Sequence, residues 1–97
     1  MSSYVDGSYR ERGAAEQPVK VLFFGAAADR AGVREAELDP PESGSLESLW
    51  DSLTGRYPDL FPMQETLAFA VNGEYATKNA VVSPGDEVAV LPPVSGG

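Results

Sequence analysis

The sequence predicts a small α+β domain in which a mixed sheet of four to five strands has one main helix on one face. The first observation is the length of 97 residues, which suits a single domain. The second is a pair of strongly apolar segments near opposite ends of the domain, at 19–24 and 87–91. The third is one amphipathic segment of helical period between them, flanked by shorter segments with the composition of strands.

The composition divides the chain into three parts. Residues 1–18 are polar and follow neither a helical nor a strand period, so we expect a disordered N-terminal extension. Residues 19–91 make up the predicted domain, and residues 92–97 make up an extended C-terminal tail that ends in Gly-Gly.

Three elements are expected before the main helix. Segment 19–24 is β-branched and aromatic and is apolar at nearly every position, as in a central strand. Segment 25–32 is rich in alanine and ends in glycine, which predicts a short helical turn. Segment 33–38 alternates between apolar and polar residues and predicts a more exposed second strand, which the following Asp-Pro-Pro sequence ends.

The main helix has the clearest pattern in the sequence. Its apolar residues recur at helical spacing and form one stripe: Leu46, Leu49, Trp50, Leu53 and Tyr57. Ser45 precedes this stripe as a predicted N-cap, and Pro58 marks the end of the helix. Because Trp50 belongs to the stripe, we predict that it packs in the core and is not a platform for a ligand.

The remaining strands follow the helix. Segments 69–72 and 74–76 flank the dipeptide Asn72-Gly73, which suits a type I′ turn because both residues tolerate a positive φ. After a Ser-Pro-Gly-Asp turn, segment 87–91 is the last strand and is apolar beyond its first residue. Since the first and last strands are the most hydrophobic, we expect them to lie side by side at the centre of the sheet.

Alternation along these two central strands divides their side chains between the two faces of the sheet. The side chains expected to face the helix are Val21, Phe23, Val88 and Val90. The side chains expected on the opposite face are Leu22, Phe24, Ala89 and Leu91. No second long helix is predicted to cover that face, and an exposed apolar patch usually marks a docking surface. The alternative is that the loop at 58–67 folds over it.

The charge and composition exclude several classes of function. Fifteen acidic residues against seven basic ones give a formal net charge of −8, which argues against binding to nucleic acid and to anionic membranes. The chain contains no cysteine and no histidine, so it has no thiolate ligand, no thiol nucleophile and no imidazole acid or base. The scattered carboxylates, such as Glu35, Glu37 and the pair Asp86-Glu87, are expected to be solvated surface, so no metal site is predicted.

The sequence also predicts where in the cell the protein is located. Its apolar runs are much shorter than the ~20 residues that a membrane-spanning helix needs. The N-terminus lacks the basic start and apolar middle of a secretory signal. We therefore expect a cytoplasmic protein.

The ending of the sequence is unusual, with Leu-Pro-Pro-Val-Ser-Gly-Gly at 91–97. Two prolines prevent the last strand from continuing as a ladder and hold an extended backbone. The six residues from Pro92 reach about 20 Å beyond the sheet, and the terminal glycines have no side chains. Such a tail can enter a narrow channel of another protein and present its terminal carboxylate there. The alternative is a frayed terminus.

Four segments of the sequence resemble the small subunit of molybdopterin synthase, a ubiquitin-like β-grasp sulfur carrier. They are Lys-Val-Leu-Phe-Phe-Gly at 20–25, Val-Asn-Gly-Glu at 71–74, Gly-Asp-Glu-Val at 85–88 and the terminal heptapeptide. The resemblance spans 19–97, and the two prolines, valine and diglycine are its most specific element. The N-terminal extension departs from the typical carrier, as does Ala28, where relatives often have a basic residue.

The resemblance implies a co-substrate with no catalytic side chains of its own and no bound cofactor. A free carboxylate is anionic at neutral pH and a poor electrophile, so it must be activated. In the family, an E1-like adenylating enzyme uses ATP to adenylate the terminal glycine, here Gly97, and a sulfur donor displaces AMP to leave a thiocarboxylate. The large subunit of molybdopterin synthase then uses this sulfur for the molybdopterin dithiolene in molybdenum cofactor biosynthesis.

The resemblance also assigns residues to the contact with the large subunit. The tail positions that thread into that subunit are Pro92, Pro93, Val94, Ser95 and Gly96. Phe24, Tyr75 and Leu91 match family positions that dock hydrophobically on the large subunit. For Tyr75 the alternative is a strand residue that covers the hairpin.

Three other functions remain open at this stage. Archaeal small modifier proteins share the whole ending, so Gly97 would instead be joined to lysines of other proteins, and both roles are compatible with one chain. Lys20 and Lys78 are then candidate conjugation sites. The sulfur carrier of the thiamine pathway shares the diglycine and the fold. A non-catalytic interaction domain with an incidental diglycine would tolerate loss of the tail.

Overall fold

The computed structural model describes residues 17–92, so most of the extension predicted at 1–18 and the tail beyond Pro92 lie outside the described residues. The elements in chain order are β1 (Val19–Phe23), α1 (Ala26–Ala31), β2 (Glu35–Leu38), α2 (Leu46–Arg56), a 3₁₀ helix (Pro58–Met63), β3 (Ala68–Val71), β4 (Glu74–Ala76) and β5 (Glu87–Leu91). Within the described range, every helix is too short or too polar to cross a membrane.

The five strands form one mixed sheet in the order β2-β1-β5-β3-β4. The first and last strands pair in parallel, with Val21 opposite Val88 and Phe23 opposite Val90, whereas the other pairs are antiparallel. β5 is therefore the central strand of the sheet, and β1 lies beside it. This confirms the predicted α+β class and the predicted pairing of the two most hydrophobic segments.

Helix α2 forms as its apolar spacing predicts. Ser45 caps its first turn, where the hydroxyl accepts a hydrogen bond of 3.1 Å from the backbone N–H of Ser48. The helix ends before Tyr57, whose N–H donates to the carbonyl of Leu53 at 2.7 Å. The buried residues of the stripe are Leu46, Leu49, Trp50 and Leu53.

The core lies between this stripe and one face of the sheet. Its sheet side consists of the four side chains predicted to face the helix, all of them buried: Val21, Phe23, Val88 and Val90. Two edge-to-face aromatic contacts join the layers, with ring centroids 5.3 Å apart for Trp50 and Phe69 and 5.6 Å apart for Phe23 and Tyr57. The prediction that Trp50 is a core residue is confirmed, since it is buried and its indole N–H donates to Gln64 Oε1 at 3.1 Å.

The segment at 58–67 does not cover the open side of the sheet, so that alternative is wrong. Its first part is the 3₁₀ helix, which packs against α1 and α2 on the helical side. Leu60 accounts for this position, because its side chain is fully buried in the core. The bond from Trp50 to Gln64 and the packing of Leu67 against the core keep the rest of the segment on the same side.

The Asn72-Gly73 dipeptide forms the predicted turn between β3 and β4. Asn72 has φ 52° and Gly73 has φ 88°, as a type I′ turn requires. The Asn72 side chain also accepts a hydrogen bond of 3.0 Å from the N–H of Glu87. This contact ties the hairpin turn to the first residue of β5.

The cap at Ser45 leads to a test of local stability. We expect Ser45→Ala to lower the free energy of unfolding by about 1 kcal/mol, because one N–H in the first turn loses its acceptor. The loss stays moderate because Leu46 N–H and Glu47 N–H keep their bonds to the carbonyls of Ala80 and Lys78. Urea unfolding measures the change.

Ser52→Ala is the matched control for this substitution. Ser52 lies on the exposed face of the same helix, where alanine has the higher helix propensity. Its unfolding free energy should stay equal or rise slightly. Equal stability of Ser45→Ala and the unaltered protein would contradict the role of the cap.

Candidate functional site

The open face is the side of the sheet opposite α2, and it combines apolar side chains from β1, β3, β4 and β5. Its members are Leu22, Phe24, Ala68, Ala70, Tyr75, Ala89 and Leu91. All three helical segments of residues 17–92 contribute buried residues to the core on the other side. The open face is thus an apolar surface on which none of these helices packs.

The alternation predicted for the two central strands is confirmed. Leu22 lies opposite Ala89, and both are half-buried, as is Leu91. Phe24 is 44% exposed and lines the same cleft as Leu22, a depression of about 510 Å³. A large aromatic ring with this exposure, next to other apolar groups, is typical of a contact surface.

The structure places the three residues assigned to docking on this one face. Tyr75 in β4 lies opposite Ala70, and 77% of it is exposed. Leu91 is the last residue of β5, and Phe24 follows the end of β1. Phe24 and Leu91 therefore lie at the end of the sheet where the tail begins, whereas Tyr75 lies on the edge strand.

The tail begins at the centre of the sheet. Because β1 and β5 are parallel, both strands end at the same edge, and the N–H of Phe24 donates to the carbonyl of Val90 at 3.0 Å. Pro92 comes next in the chain and has no N–H to continue the ladder. The remaining tail residues, at 93–97, lie outside the described residues.

Gly25 provides the space for the first tail residue. A Cβ atom added at Gly25 would lie 3.1 Å from Cγ of Pro92, closer than ordinary van der Waals contact. Gly25 also has φ +54°, a conformation that favours glycine. The missing side chain thus lets the proline ring pack beside the start of α1. Sequence reasoning missed this contact, because only the pairing of β1 with β5 brings the two residues together.

The opposite end of the open face is charged. Lys20 of β1 lies opposite Glu37 of β2 and Glu87 of β5, and its Nζ lies 3.7 Å from Oε2 of Glu35. The far end of the open face therefore carries Lys20, Glu37 and Glu87, whereas Glu35 lies opposite Leu22 and lines the same cleft as Phe24.

Two small residues of the open face were also missed from the sequence. Ala68 lies opposite Leu91, and Ala70 lies opposite Ala89, so β3 extends the apolar surface beyond the two central strands. Counting residues back from the Asn72-Gly73 turn shows that Ala68 and Ala70 lie on the same face of the strand. The sequence does not show, however, that β3 pairs with β5.

Comparisons with known proteins agree with this architecture. The ThiS family matches residues 21–97. The molybdopterin synthase sulfur carrier subunit of Homo sapiens is 38% identical over 82 residues, which cover 81% of this chain and 93% of that protein. The small archaeal modifier protein SAMP1 from Haloferax volcanii has a TM-score of 0.71 and 28% identity, covering 82% of this chain and 99% of that one.

One further solved structure is a protein–protein complex. It contains subunits 1 and 2 of the molybdopterin-converting factor from Helicobacter pylori, and the matched chain has a TM-score of 0.59 and 24% identity. The match covers 84% of this chain and 100% of that one, and it shows a common fold. The chain therefore belongs to the ThiS family, has the ubiquitin-like β-grasp fold, and is related to the molybdopterin synthase sulfur carrier subunits.

Proposed function

We propose that this protein is the sulfur carrier subunit of molybdopterin synthase and that it carries sulfur on the acyl carbon of Gly97. The observation behind this proposal is the continuity of the central strand with the tail. β5 ends at Leu91 on the open face, and six residues follow, the last two of which are the diglycine. A rigid domain thus holds a tail without bulky side chains at its tip.

The proposed chemistry takes place on the terminal carboxylate in two steps. A carboxylate oxygen of Gly97 first attacks the α-phosphorus of ATP in an E1-like adenylating enzyme, which releases pyrophosphate and leaves an acyl adenylate. A sulfur donor at the oxidation level of sulfide then attacks the acyl carbon through its sulfur, AMP leaves with that oxygen, and the proton on sulfur is lost. The product is a thiocarboxylate, whose sulfur the large subunit uses for the dithiolene of molybdopterin. Once the sulfur is bonded to the pterin, hydrolysis breaks its bond to the acyl carbon and restores the carboxylate of Gly97.

The chain contributes binding and positioning to this chemistry. The apolar part of the open face, with Phe24 and Leu91 beside the tail, is the proposed docking surface for the large subunit. The name of the human relative describes it as a subunit, and the Helicobacter pylori structure contains subunits 1 and 2 together. Both observations support a second subunit as the partner of this chain.

Intact-mass analysis tests the proposed sulfur chemistry. The protein is purified from cells that make the molybdenum cofactor, and fragmentation locates any change of mass. We expect a species with the mass gain of one oxygen replaced by sulfur, located at Gly97. Persistent absence of this species during active cofactor synthesis would count against the proposal.

A second candidate function is that of a protein modifier. The likeness to small archaeal modifier protein 1 from Haloferax volcanii favours it, since that protein is named for modification. In this case the acyl carbon of Gly97 would form an amide with a lysine amine, and AMP would leave. Immunoblots under denaturing conditions distinguish the two functions, because only a modifier gives covalent adducts of higher mass.

A further inference from the structure

The turn between β1 and α1 is fixed on both sides by backbone hydrogen bonds. At its start, the N–H of Phe24 donates to the carbonyl of Val90 in β5 at 3.0 Å. At its end, the carbonyl of Gly25 accepts hydrogen bonds from the N–H groups of Ala28 and Asp29, at 3.0 and 3.2 Å. Gly25 therefore has little room to move away from a neighbouring group.

That neighbouring group is the ring of Pro92. A Cβ atom added at Gly25 would lie 3.1 Å from Cγ and 3.5 Å from Cβ of Pro92. Carbon atoms pack best at about 3.5–4.0 Å, so the shorter contact would force one of the two groups to shift. The strand before Pro92 is held in place, since Leu91 pairs with Ala68 of β3. Because the turn and the strand are both anchored, the proline ring is the group that would shift.

The position of this ring sets the direction of the tail. The ring fixes φ of Pro92, and Pro93 restricts ψ of Pro92 to extended values, so both soft dihedral angles of this residue are restricted. Five residue steps separate Pro92 from Gly97. At about 3.3 Å per residue, a change of direction of about 5° at Pro92 displaces the acyl carbon of Gly97 by about 1.5 Å.

We propose that Gly25 is a positioning residue for sulfur transfer. By leaving the ring of Pro92 in place, it directs the tail so that the acyl carbon of Gly97 reaches the pterin in the large subunit. The inference rests on the proposed function, because it concerns the same tail and the same partner. It separates two roles at the end of β1, since Phe24 provides contact area for docking and Gly25 orients the tail.

Gly25→Asn tests this proposal, because asparagine adopts a positive φ more readily than most residues that have a side chain. The unaltered chain and the variant each carry a thiocarboxylate at Gly97 and are mixed with saturating large subunit and the pterin precursor. We expect the rate constant for single-turnover transfer of sulfur to the pterin to fall about 10- to 100-fold. The dissociation constant for the large subunit should change little, because the apolar side chains of the open face are the same.

Gly32→Asn is the matched control for this substitution. Gly32 has φ +80°, but apart from its neighbours in the chain no residue of 17–92 lies within 4 Å of a Cβ atom added there. Its transfer rate should equal that of the unaltered chain. Circular dichroism verifies that both variants are folded at the assay temperature. If Gly25→Asn is not folded, Gly25→Ala takes its place, since alanine adds the same Cβ atom and no further ones.

A second substitution tests whether the contact itself is responsible. Pro92→Ala removes Cγ, the nearest atom, and leaves Cβ at 3.5 Å, which is an ordinary contact. Because Pro92→Ala also changes the tail, the comparison is between the chain with Pro92→Ala and the chain with both substitutions. We expect these two transfer rates to agree within about twofold, as for two groups that act through one contact.

Three results would overturn the inference while leaving the proposed function in place. The first is an unchanged transfer rate for Gly25→Asn. The second is an equal fall for Gly32→Asn, which would show that backbone strain is responsible. The third is an undiminished effect of Gly25→Asn in the chain with Pro92→Ala, which would exclude the contact as the cause. Failure of the unaltered chain to transfer sulfur would overturn the proposed function together with the inference.

Discussion

Cells that produce the chain without Gly97 should make no molybdenum cofactor. The deletion removes the carbon that the proposed chemistry adenylates and leaves the new end one residue short of the site that receives it. One residue added after Gly97 should have the same effect, because the sulfur would then lie beyond the reacting position. Cofactor content in cells that lack the native carrier measures the result, which we expect to equal the background of those cells.

The domain itself should be unaffected by either change. Gly97 lies six residues beyond Leu91, the last residue of the sheet, so the thermal unfolding midpoint should match that of the unaltered protein. Both variants should still bind the large subunit, since the open face is unchanged. Normal cofactor synthesis by either variant would contradict the role of the terminal carbon.

Replacement of Phe24 by aspartate should weaken binding to the large subunit about thirtyfold or more, which corresponds to about 2 kcal/mol. The reason is that a carboxylate would lose its water in the apolar half of the open face, beside Leu91. Stability should change little, because Phe24 is 44% exposed in the free protein. Isothermal titration calorimetry with the large subunit gives the dissociation constant.

The chain contains a closely matched control for this substitution. Phe61 is 56% exposed, and it lies on the 3₁₀ helix that packs on the helical side of the sheet. Phe61→Asp introduces the same side chain at similar exposure but far from the proposed docking surface. Its affinity should equal that of the unaltered chain. Equal affinity of Phe24→Asp and the unaltered chain would exclude this part of the open face from the contact.

The elements with a strong repeating pattern could be predicted from the sequence. The apolar stripe that includes Leu49 and Leu53 predicts helix α2. The prediction is strong because the 11 residues of this helix repeat the helical spacing over several turns. The hairpin followed from Asn72-Gly73, whose preference for positive φ is a local property. The central pairing followed from hydrophobicity, since a strand that is covered on both sides tolerates few polar residues.

Elements fixed by tertiary contact were not predicted. The 3₁₀ helix has six residues, and its buried side chain Leu60 is a single apolar position with no period around it. Ser45 pairs with Val81 in an isolated bridge, and Val82 is buried beside it, although residues 81–82 belong to none of the predicted elements. These positions depend on where distant segments meet, which a pattern along the chain does not record.

The candidate site likewise combines features that the sequence predicts with features that only the structure shows. The alternation of the two central strands predicts that Phe24 and Leu91 lie on the open face, because side chains of a strand alternate with a period of two. The contact of Gly25 with Pro92 and the extension of the face by Ala70 both require the strand order. Tyr75 lies on the open face, but its contribution to docking stays a prediction.

The most direct test of the central claim follows one sulfur atom through a single turnover. The chain is prepared with isotopically labelled sulfur in a thiocarboxylate at Gly97 and mixed with the large subunit and the pterin precursor. We predict that the label passes to the pterin and that the mass of the protein returns to that of the carboxylate form. Label that remains on the protein while unlabelled dithiolene forms would contradict the account.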